Sequence, residues 1–528
     1  MSYRARRSVR KNEDKRKSLV LVTMGLISSL IMLDSNIVAV ALPSIARSLG
    51  AAFTEIEWVV SAYILTFAAL LLAAGSYADK HGRKLAMLIG IAIFTVASGI
   101  CGLATSALML NLARALQGVG ASLLLTASLA IINHTFIGAE RGRAYAFWGA
   151  CLGVAITCGP IIGGVITTLF GWRWAFLMNL PICAALFVLA CFVVEESADH
   201  EAERLDYAGI LTFSVGLFFL IWSLIDGNNL GWTSSGILTR QGIAAVMLVG
   251  FYFIEARQRR PMVDFSLFRR PTFLGSAFAM LGYAGGAQVL IFFLPLLLQN
   301  AYGFAPAMAG LAMLPFALPM FLTPRLGAGL ASVYSGRTLL SVGLAITTAG
   351  DLTLYILSAM HASYPWFACG MLIAGTGAGL LNSETAKVMQ GAVPPQRAGM
   401  ASGLSATTRF VGLLVGVAAL GAVLSLGVNR RFMSSDAVRG LDPSLVASAA
   451  RRVASGDLNS VIDILGGSAQ AGIRHAASIA FAGGFADASL VASLIALISC
   501  VLTFGLVRAA DTAPATKGGN PELAPAME

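Results

Sequence analysis

The sequence predicts an all-α integral membrane protein, and three observations lead to that prediction. Of the 528 residues, 57% are hydrophobic and only 12% are charged, whereas soluble domains carry about twice that charged fraction. The mean hydropathy is +0.79. The apolar residues also fall into runs long enough to cross a bilayer, for which about 20 residues are needed. Together these features exclude a soluble fold.

Fourteen such apolar runs follow one another along the chain, and each predicts one transmembrane helix. They lie near residues 18–44, 55–78, 85–105, 108–133, 144–169, 174–194, 207–226, 239–256, 273–299, 307–328, 338–359, 365–390, 402–427 and 487–508.

The basic residues predict which helix ends face the cytoplasm. The first 17 residues hold eight Lys and Arg, and alternate connections between the segments hold almost none. The other basic connections are 79–84, 140–143, 255–261, 268–270 and 394–397. Because Lys and Arg collect on the cytoplasmic side, we expect both termini in the cytoplasm and the protein in the cytoplasmic (inner) cell membrane. The net charge of +10 therefore indicates topology and not nucleic-acid binding.

Polar stretches divide the chain into five parts. Residues 1–17 form a basic cytoplasmic tail, 18–195 a six-helix bundle, and 196–262 a connector with two inserted helices. Residues 263–508 form a second six-helix bundle, and 509–528 a second cytoplasmic tail.

The second bundle includes a predicted extracytoplasmic loop, 428–486. Asp442 and Pro443 indicate the start of a short helix there. DLNSVIDIL and AGIRHAASIAFAGG resemble further short amphipathic pieces. Three interpretations stay open for this loop: a membrane-surface hairpin, a contact for a periplasmic adaptor protein, and a plain structured loop.

The sequence holds little that enzyme chemistry could use. All seven cysteines fall within apolar segments, where thiols pack as small hydrophobic groups, and their spacing predicts neither a disulfide nor a metal site. The five histidines show no metal spacing and no Ser-His-Asp arrangement, and GxxxxGK[ST] does not occur. We therefore expect no cofactor, no metal, no enzyme activity and no ATP-driven step.

The connection after the second segment reads GSYADKHGRK (75–84). Gly82 suits a tight turn, and Gly75 allows close helix contact. Asp79 can accept hydrogen bonds from a neighbouring helix N-terminus or pair with Arg83. The stretch can serve both as such a turn and as a topological anchor, with its basic residues holding the loop inside.

The fourth segment contains NLARALQGVGAS (111–122), in which Arg114 is charged and Gln117 follows one turn further in. An arginine at such a depth should snorkel or face a polar cavity. Its use would be to lie beside a carboxylate and tune its protonation, because a cation favours the charged form that burial disfavours.

The fifth segment contains WGACLGVAITCGPIIGG (148–164), a run of small positions that lets neighbouring helices approach closely. Pro160 removes one backbone hydrogen bond and bends the helix near the middle of the membrane. The glycines are Gly149, Gly153, Gly159, Gly163 and Gly164.

In this order, the motifs on segments 2 to 5 resemble three signature motifs of the major facilitator superfamily. Four further stretches are similar to those of its fourteen-helix drug:proton antiporter family, and the likeness covers nearly the whole chain. They are LDSNIVAVALP, FGWRWAFLMNLPI (170–182), PLLLQNAYGFAPAMAGLAMLP (295–315) and GMASGLSATTRFVGLLVGVAALGA (399–422). The chain departs from the family pattern at Asn36 or Ser35, at Ala155, and in PRLGAGLASVYSGRT, which lacks an acidic residue.

The resemblance implies the major facilitator superfamily fold, with two pseudo-symmetric six-helix bundles and two inserted helices. It also implies a central cavity that alternates between the two sides of the membrane. Inward proton flow would drive outward movement of lipophilic or cationic drugs, with the proton gradient as the energy source. The partners would be drugs, protons and the lipid bilayer.

Asp34, in LIMLDSNIVAVALP (30–43), is the residue of the first segment that costs most free energy to insert into a membrane. It lies about 24 Å along a helix that starts near Ser18, at about 1.5 Å per residue, and a central Asp costs about 2.5–3.5 kcal/mol to insert. With the family motif, we interpret Asp34 as the proton-coupling group with Arg114 as its partner. Contact with a cationic substrate and a structural hydrogen bond stay open.

Two other acids lie within predicted helices. Asp351 faces either the cavity or a local polar contact, and Glu384 stands close enough to Lys387 to pair with it. Arg409 lies in the family motif of segment 13. We count it among the conformational or gating motif residues and assign it no further role. Residues that are aromatic, polar or acidic are candidates for a drug cavity. They are Asn36, Gln117, Tyr283, Gln288, Phe292, Asp351 and Glu384.

The sequence thus favours a proton-coupled multidrug efflux antiporter. The alternative within the same class is a dedicated exporter of a single endogenous compound, such as an antibiotic or siderophore. A membrane-embedded enzyme or a sensor is a different class, and the motifs disfavour it.

Overall fold

The computed structural model describes residues 3–136, 139–198, 206–258, 261, 263–393, 398–455, 461 and 470–512. The described residues contain fourteen helices long and apolar enough to cross a membrane, as the sequence predicted, and no strand. The helices are α1 (Tyr3–Leu49), α2 (Phe53–His81), α3 (Arg83–Gly102), α4 (Ala107–Thr135), α5 (Ala139–Leu169), α6 (Trp174–Leu177 and Asn179–Val193), α7 (Tyr207–Leu230), α8 (Ser235–Arg257), α9 (Pro271–Gly282, the π-helical turn Tyr283–Gln288, and Leu290–Asn300), α10 (Pro306–Ala312 and Leu314–Leu330), α11 (Gly336–Ala359), α12 (Tyr364–Gly391), α13 (Ala398–Met433) and α14 (Gln470–Leu506).

The helices form two bundles and an inserted pair. Within the first bundle, α2 packs on α4, α1 on α5 and α3 on α4; within the second, α11 packs on α12 and α14, and α10 on α12. The inserted helices α7 and α8 pack on each other, and α7 also contacts both α2 and α13. Asn228 of α7 donates a hydrogen bond to the carbonyl oxygen of Ala422 at 2.5 Å. The inserted pair therefore lies beside a junction between the two bundles.

An even number of spans puts both ends of the chain at one face of the molecule. We refer to the face where α1 begins as the terminal face and to the opposite one as the distal face. The basic tail is not separate from the first span, since α1 begins at Tyr3. Arg16 forms an ion pair with Glu195, and Lys17 Nζ lies 3.3 Å from Glu140 Oε2.

The distal connection between α13 and α14 is shorter than the sequence predicted. Helix α13 continues to Met433 and α14 begins at Gln470, so AGIRHAASIAFAGG (471–484) lies entirely within α14 and is not a separate piece. Arg431 of α13 and Asp487 of α14 lower the hydropathy of these helices in the sequence. In the structure the two charges neutralise each other, because Arg431 donates to the two oxygens of Asp487 at 2.5 and 2.9 Å. DLNSVIDIL lies outside the described residues except Val461.

A short helix, Pro443–Ser455, lies in this connection, and Asp442 caps it as predicted. Asp442 Oδ1 accepts hydrogen bonds from the Ser444 hydroxyl at 2.6 Å and the Ser444 amide at 2.7 Å. These bonds lower the pKa of Asp442 below its usual value. The stabilisation of this cap is therefore present above the unfolded-state pKa and is lost as the pH falls through the folded-state pKa.

The two bundles meet through close backbone contacts between α5 and α10 in the distal half of the molecule. A Cβ atom on Gly164 would collide with the carbonyl oxygen of Pro306, and one on Gly310 would collide with the carbonyl oxygen of Pro160. Glycine is the residue that allows backbones to approach this closely. These contacts close the junction between α5 and α10 towards the distal face.

Two further glycines of α5 face its own bundle. A Cβ atom on Gly159 would lie 2.5 Å from the Cβ of Asn36, and one on Gly163 would lie 2.7 Å from the Cα of Ile37. The glycine pattern of this helix therefore serves two neighbours, α1 on one side and α10 on the other. Gly75, by contrast, has only Thr126 within reach, at 3.9 Å.

The turn between α2 and α3 is held by two acids. Asp79 Oδ1 accepts a hydrogen bond from Arg83 Nε at 2.9 Å, one of its two predicted roles. The predicted cap on a helix N-terminus comes from another residue, since Glu196 accepts from the amides of Lys84 and Leu85 at 3.0 and 3.1 Å. Gly82 has φ +116°, and its Cβ would lie 2.7 Å from the Glu196 carboxyl carbon.

We expect Gly82→Ala to destabilise the protein by about 3 kcal/mol, the upper end for a residue held in a sparsely populated backbone conformation. Gly50→Ala is the matched control, because Gly50 also has a positive φ, +60°, but has open space around it. That change should cost only about 1–2 kcal/mol. Thermal unfolding of the purified variants in detergent measures the difference. Equal losses would show that contact with Glu196 contributes nothing.

Candidate functional site

Asp34 lies in α1 with no exposed surface, and its carboxylate accepts three hydrogen bonds. Arg114 Nη1 donates to Oδ2 at 2.6 Å. Gln117 Nε2 and Asn179 Nδ2 donate to Oδ1 at 3.0 and 2.7 Å. The structure thus brings Arg114 to Asp34, the contact that the sequence suggested, and surrounds the carboxylate with donors.

Arg114 is itself almost fully buried, with 1% of its surface exposed. Its Nε donates to the carbonyl oxygen of Val59 at 3.0 Å, and its Nη1 also donates to Gln117 Oε1 at 2.6 Å. The guanidinium carbon lies 4.1 Å from the centre of the Tyr63 ring, a cation–π distance. A desolvated pair such as this depends on its extra hydrogen bonds, which offset the cost of burial.

Four helices of the first bundle position these groups. Arg114 and Gln117 stand three residues apart in α4 and so share one face. Asn179 is the first residue of α6 after its break at Met178. Ser98 of α3 accepts hydrogen bonds from Gln117 and Asn179 at 2.9 and 3.4 Å. The site therefore joins α1, α3, α4 and α6.

The chemistry available here is the binding of a proton to Asp34. The Arg114 cation and the two amide donors, Gln117 and Asn179, favour the charged carboxylate, whereas burial favours the neutral acid. Protonation would remove the attraction that holds Arg114 in place.

A small cavity lies between the two bundles, next to this site. Its volume is about 30 Å³, and a cavity of that kind holds about one water molecule. Tyr63 lines the cavity and also stacks on Arg114. The lining residues from α1, α2, α5, α9 and α13 are Ile31, Met32, Ser35, Asn36, Tyr63, Ile64, Phe67, Ile156, Gln288, Ile291, Phe292, Phe410 and Leu413.

Three of the cavity candidates from the sequence, Asn36, Gln288 and Phe292, line this cavity. The other candidates lie outside its lining in this conformation. Gln117 belongs to the Asp34 site. Glu384 is buried and lies 3.4 Å from Lys387 Nζ, as expected for a local pair.

Tyr283 and Asp351 are also outside the cavity lining. The Tyr283 hydroxyl donates to Asn382 Oδ1 at 3.0 Å and accepts from Arg409 Nη2 at 3.2 Å. Arg409 Nε donates to Gln288 Oε1 at 2.9 Å, which gives this motif residue a place beside the cavity. Asp351 lies buried in α11, and its Oδ2 would lie 3.8 Å from a Cβ atom on Gly286 of the π-helical turn.

Sequence reasoning missed four residues of this region: Ser98, Asn179, Tyr63 and Glu57. Asn179 stands within FGWRWAFLMNLPI, a stretch identified as a family motif, but no residue in it was assigned a role. Glu57 is 5% exposed and lies in α2. A Cβ atom on Gly421 of α13 would collide with its Oε1, so Glu57 lies at the junction of the bundles. Its charge within an apolar segment was the available signal.

Two helix bundles with a cavity between them, a closed distal junction and a buried ion pair beside the cavity are the architecture of a membrane transporter. The sequence model of the Major Facilitator Superfamily matches residues 24–417. The chain belongs to that superfamily, which confirms the resemblance found in the sequence.

Curated relatives and solved structures agree with this assignment. The chain is 35% identical over 408 residues to the multidrug resistance protein Stp of Mycobacterium tuberculosis, covering 77% of this chain and 76% of Stp. It is 33% identical to the methylenomycin A resistance protein of Streptomyces coelicolor, covering 74% and 82% of the two chains. The fold is similar to that of a bacterial homologue of the human lysosomal transporter Spinster in an inward-facing, occupied conformation. That structure has a TM-score of 0.62 at 18% identity, covering 94% of this chain and 99% of that one.

Proposed function

We propose that the protein is a proton-coupled multidrug efflux antiporter that exports lipophilic or cationic compounds by alternating access. The cytoplasmic membrane, with both termini in the cytoplasm, is its proposed location. The observation that carries the proposal is the position of Tyr63, whose ring lines the central cavity and stacks on Arg114, the partner of Asp34. The proton-binding group and the cavity therefore share one side chain.

The coupling follows from this contact. A compound that enters the cavity contacts Tyr63, and any displacement of that ring changes its cation–π contact with Arg114. Because Arg114 favours the charged form of Asp34, moving it away favours protonation and moving it back favours release. Proton exchange at Asp34 and occupation of the cavity are in this way linked in both directions.

Alternating access follows from the size of the cavity. A volume of about 30 Å³ is far below the roughly 300–1,000 Å³ of a drug-sized pocket. The bundles must therefore separate to admit a compound. The glycine contacts between α5 and α10 close the distal side, so in this conformation the opening is expected at the terminal face.

Substrate range separates this proposal from its alternative, a dedicated exporter of one endogenous compound such as an antibiotic or siderophore. One relative is named for resistance to a single antibiotic, methylenomycin A, and another for multidrug resistance. A panel of chemically unrelated toxic compounds decides between the two. Protection against one compound alone would favour the dedicated exporter. A contact of the 428–486 loop with a periplasmic adaptor protein stays one of its three open interpretations.

Ethidium efflux from whole cells, with and without an uncoupler, tests proton coupling. We expect the wild type to lose efflux when the uncoupler is added. Asp34→Asn lacks the proton-binding group that is linked to the cavity, so its efflux should lie far below that of the wild type with or without the uncoupler. Asp226→Asn is a matched control, because Asp226 pairs with Arg240 at 2.7 Å in the inserted helices, away from the cavity. That variant should export as the wild type does. Efflux by Asp34→Asn that persists at the wild-type rate would show that Asp34 does not couple protons.

A further inference from the structure

Asp351 is a second acid inside the membrane region, and its surroundings differ from those of Asp34. It lies in α11 with no exposed surface, and neither of its carboxylate oxygens has a hydrogen-bond partner among the described residues. An ionised carboxylate without a partner is very costly in an apolar interior, whereas the neutral acid is tolerated. Such a site is suited to holding a proton.

Asp351 lies beside the π-helical turn of α9, and α14 packs against the same turn. A Cβ atom on Gly286 would lie 3.8 Å from Asp351 Oδ2, 3.4 Å from the carbonyl oxygen of Ala492 and 3.3 Å from the Cβ of Ala496. Thr347, one turn earlier in α11, also has a buried hydroxyl without a partner among the described residues. The acid is therefore buried beside a glycine of the π-helical turn, with no hydrogen-bond partner among the described residues.

The titratable groups of the surrounding helices are engaged elsewhere. On α9, the Tyr283 hydroxyl contacts Asn382 and Arg409. On α14, Asp487 binds Arg431, and Cys500 donates to the Ser341 carbonyl oxygen. On α12, Glu384 pairs with Lys387. Tyr355 stands one turn further along α11 itself. Within the part of the chain that the structure describes, no ion pair reaches Asp351.

The π-helical turn Tyr283–Gln288 connects this acid to the central cavity. Its residue Gly286 faces Asp351, whereas Gln288 at its end accepts from Arg409 and lines the cavity. Gly285 packs closely on α13, because a Cβ atom on Gly416 would lie 2.9 Å from the Gly285 Cα. Turns of this kind are frequent at functional sites. A change of charge at Asp351 therefore acts on the turn that ends at Gln288, a residue that lines the cavity.

We propose that Asp351 is a second proton-binding site, located in the second bundle, which takes up and releases one proton in each transport cycle. The proton binds a carboxylate oxygen when the site opens to one side and leaves towards the other side, and no other bond changes. The inference rests on the proposed function, drug:proton exchange through Asp34. It predicts that two protons are exchanged for each drug molecule.

A monovalent cation such as ethidium makes this stoichiometry measurable in vesicles that contain the purified full-length protein. Exchange of two protons for one ethidium moves one net charge, so a potential of about 100 mV alone should sustain about a 50-fold ethidium gradient in the wild type. Asp351→Asn should exchange one for one, and the potential alone should then sustain no gradient. A pH difference of about one unit should sustain about a 100-fold gradient in the wild type but about a tenfold gradient in Asp351→Asn.

The controls separate the two proposals. Asp351→Glu keeps the carboxyl group and should keep the response to potential, as should Asp226→Asn. If Asp351→Asn responds to the potential as the wild type does, or if wild-type exchange is itself electroneutral, the second site is refuted while proton coupling stands. If neither gradient drives ethidium in the wild type, proton coupling fails and the second site fails with it.

Discussion

Replacing Arg114 with methionine is expected to destabilise the protein by about 3–5 kcal/mol, the usual cost of removing one partner from a buried ion pair, and to abolish proton-driven efflux. The Asp34 carboxylate would lose its 2.6 Å contact with Nη1. The Val59 carbonyl oxygen would lose its bond from Nε, and the Tyr63 ring would lose its cation. Methionine fills similar space, so packing alone should change little.

A double-mutant cycle separates the charge from the packing. In Asp34→Asn with Arg114→Met, no uncompensated charge is left, so most of the lost thermal stability should return while efflux stays absent. Arg114→Lys should keep a cation near Asp34 but lose the paired geometry, because lysine offers a point charge where arginine offers a planar fork. Thermal unfolding in detergent and ethidium efflux measure both properties. A double variant less stable than Arg114→Met would contradict the ion pair as the source of the loss.

Alanine at both Gly164 and Gly310 is the second large expected effect. The added Cβ atoms would meet the backbone carbonyl oxygens of Pro306 and Pro160, which cannot rotate away as a side chain can. Overpacking costs about 1–3 kcal/mol per site, so the distal-closed conformation should lose at least about tenfold in population, since tenfold corresponds to about 1.4 kcal/mol. Transport should stop because the cycle needs that conformation.

Thiol labelling reports the conformational shift directly. Val40 is fully buried in the distal half, where its carbonyl oxygen accepts from Gln299 at 2.9 Å. In a background without the native cysteines, Val40→Cys should react faster with a membrane-impermeant maleimide when both alanines are present. Gly149→Ala is the control, because Gly149 lies in α5, as Gly164 does, but has open space around it. Unchanged labelling together with wild-type transport would refute the role of these contacts.

The membrane helices could be predicted from the sequence because each is an apolar run of the required length. The prediction was inaccurate between α13 and α14, where Arg431 and Asp487 lower the hydropathy of helices that nevertheless continue. A hydropathy profile counts each charged residue as a separate penalty. In the structure the two charges form an ion pair, which neutralises both. Pairing between residues 56 positions apart is not visible in a local window.

The candidate site was predictable only where burial carries a large cost. Asp34 and Arg114 stand out because a charge within an apolar segment needs a reason. Asn179 and Ser98 complete the site but carry no charge, so the cost of burying a charge does not mark them, although Asn179 stands in a family motif. The cavity-lining apolar residues have the composition of any membrane helix. Which of them face the junction depends on how the bundles pack.

The position of α7 makes the molecule asymmetric towards the lipid. On one side the seam between the bundles, where α2 meets α13, is covered by α7. On the other side α5 and α10 form the seam, and Val154, Val165, Met308 and Leu311 are exposed there. A lipophilic compound that diffuses in the plane of the bilayer therefore contacts α7 on the first side, but contacts the junction between α5 and α10 directly on the second. Lateral uptake from the membrane is expected to have a single direction of approach.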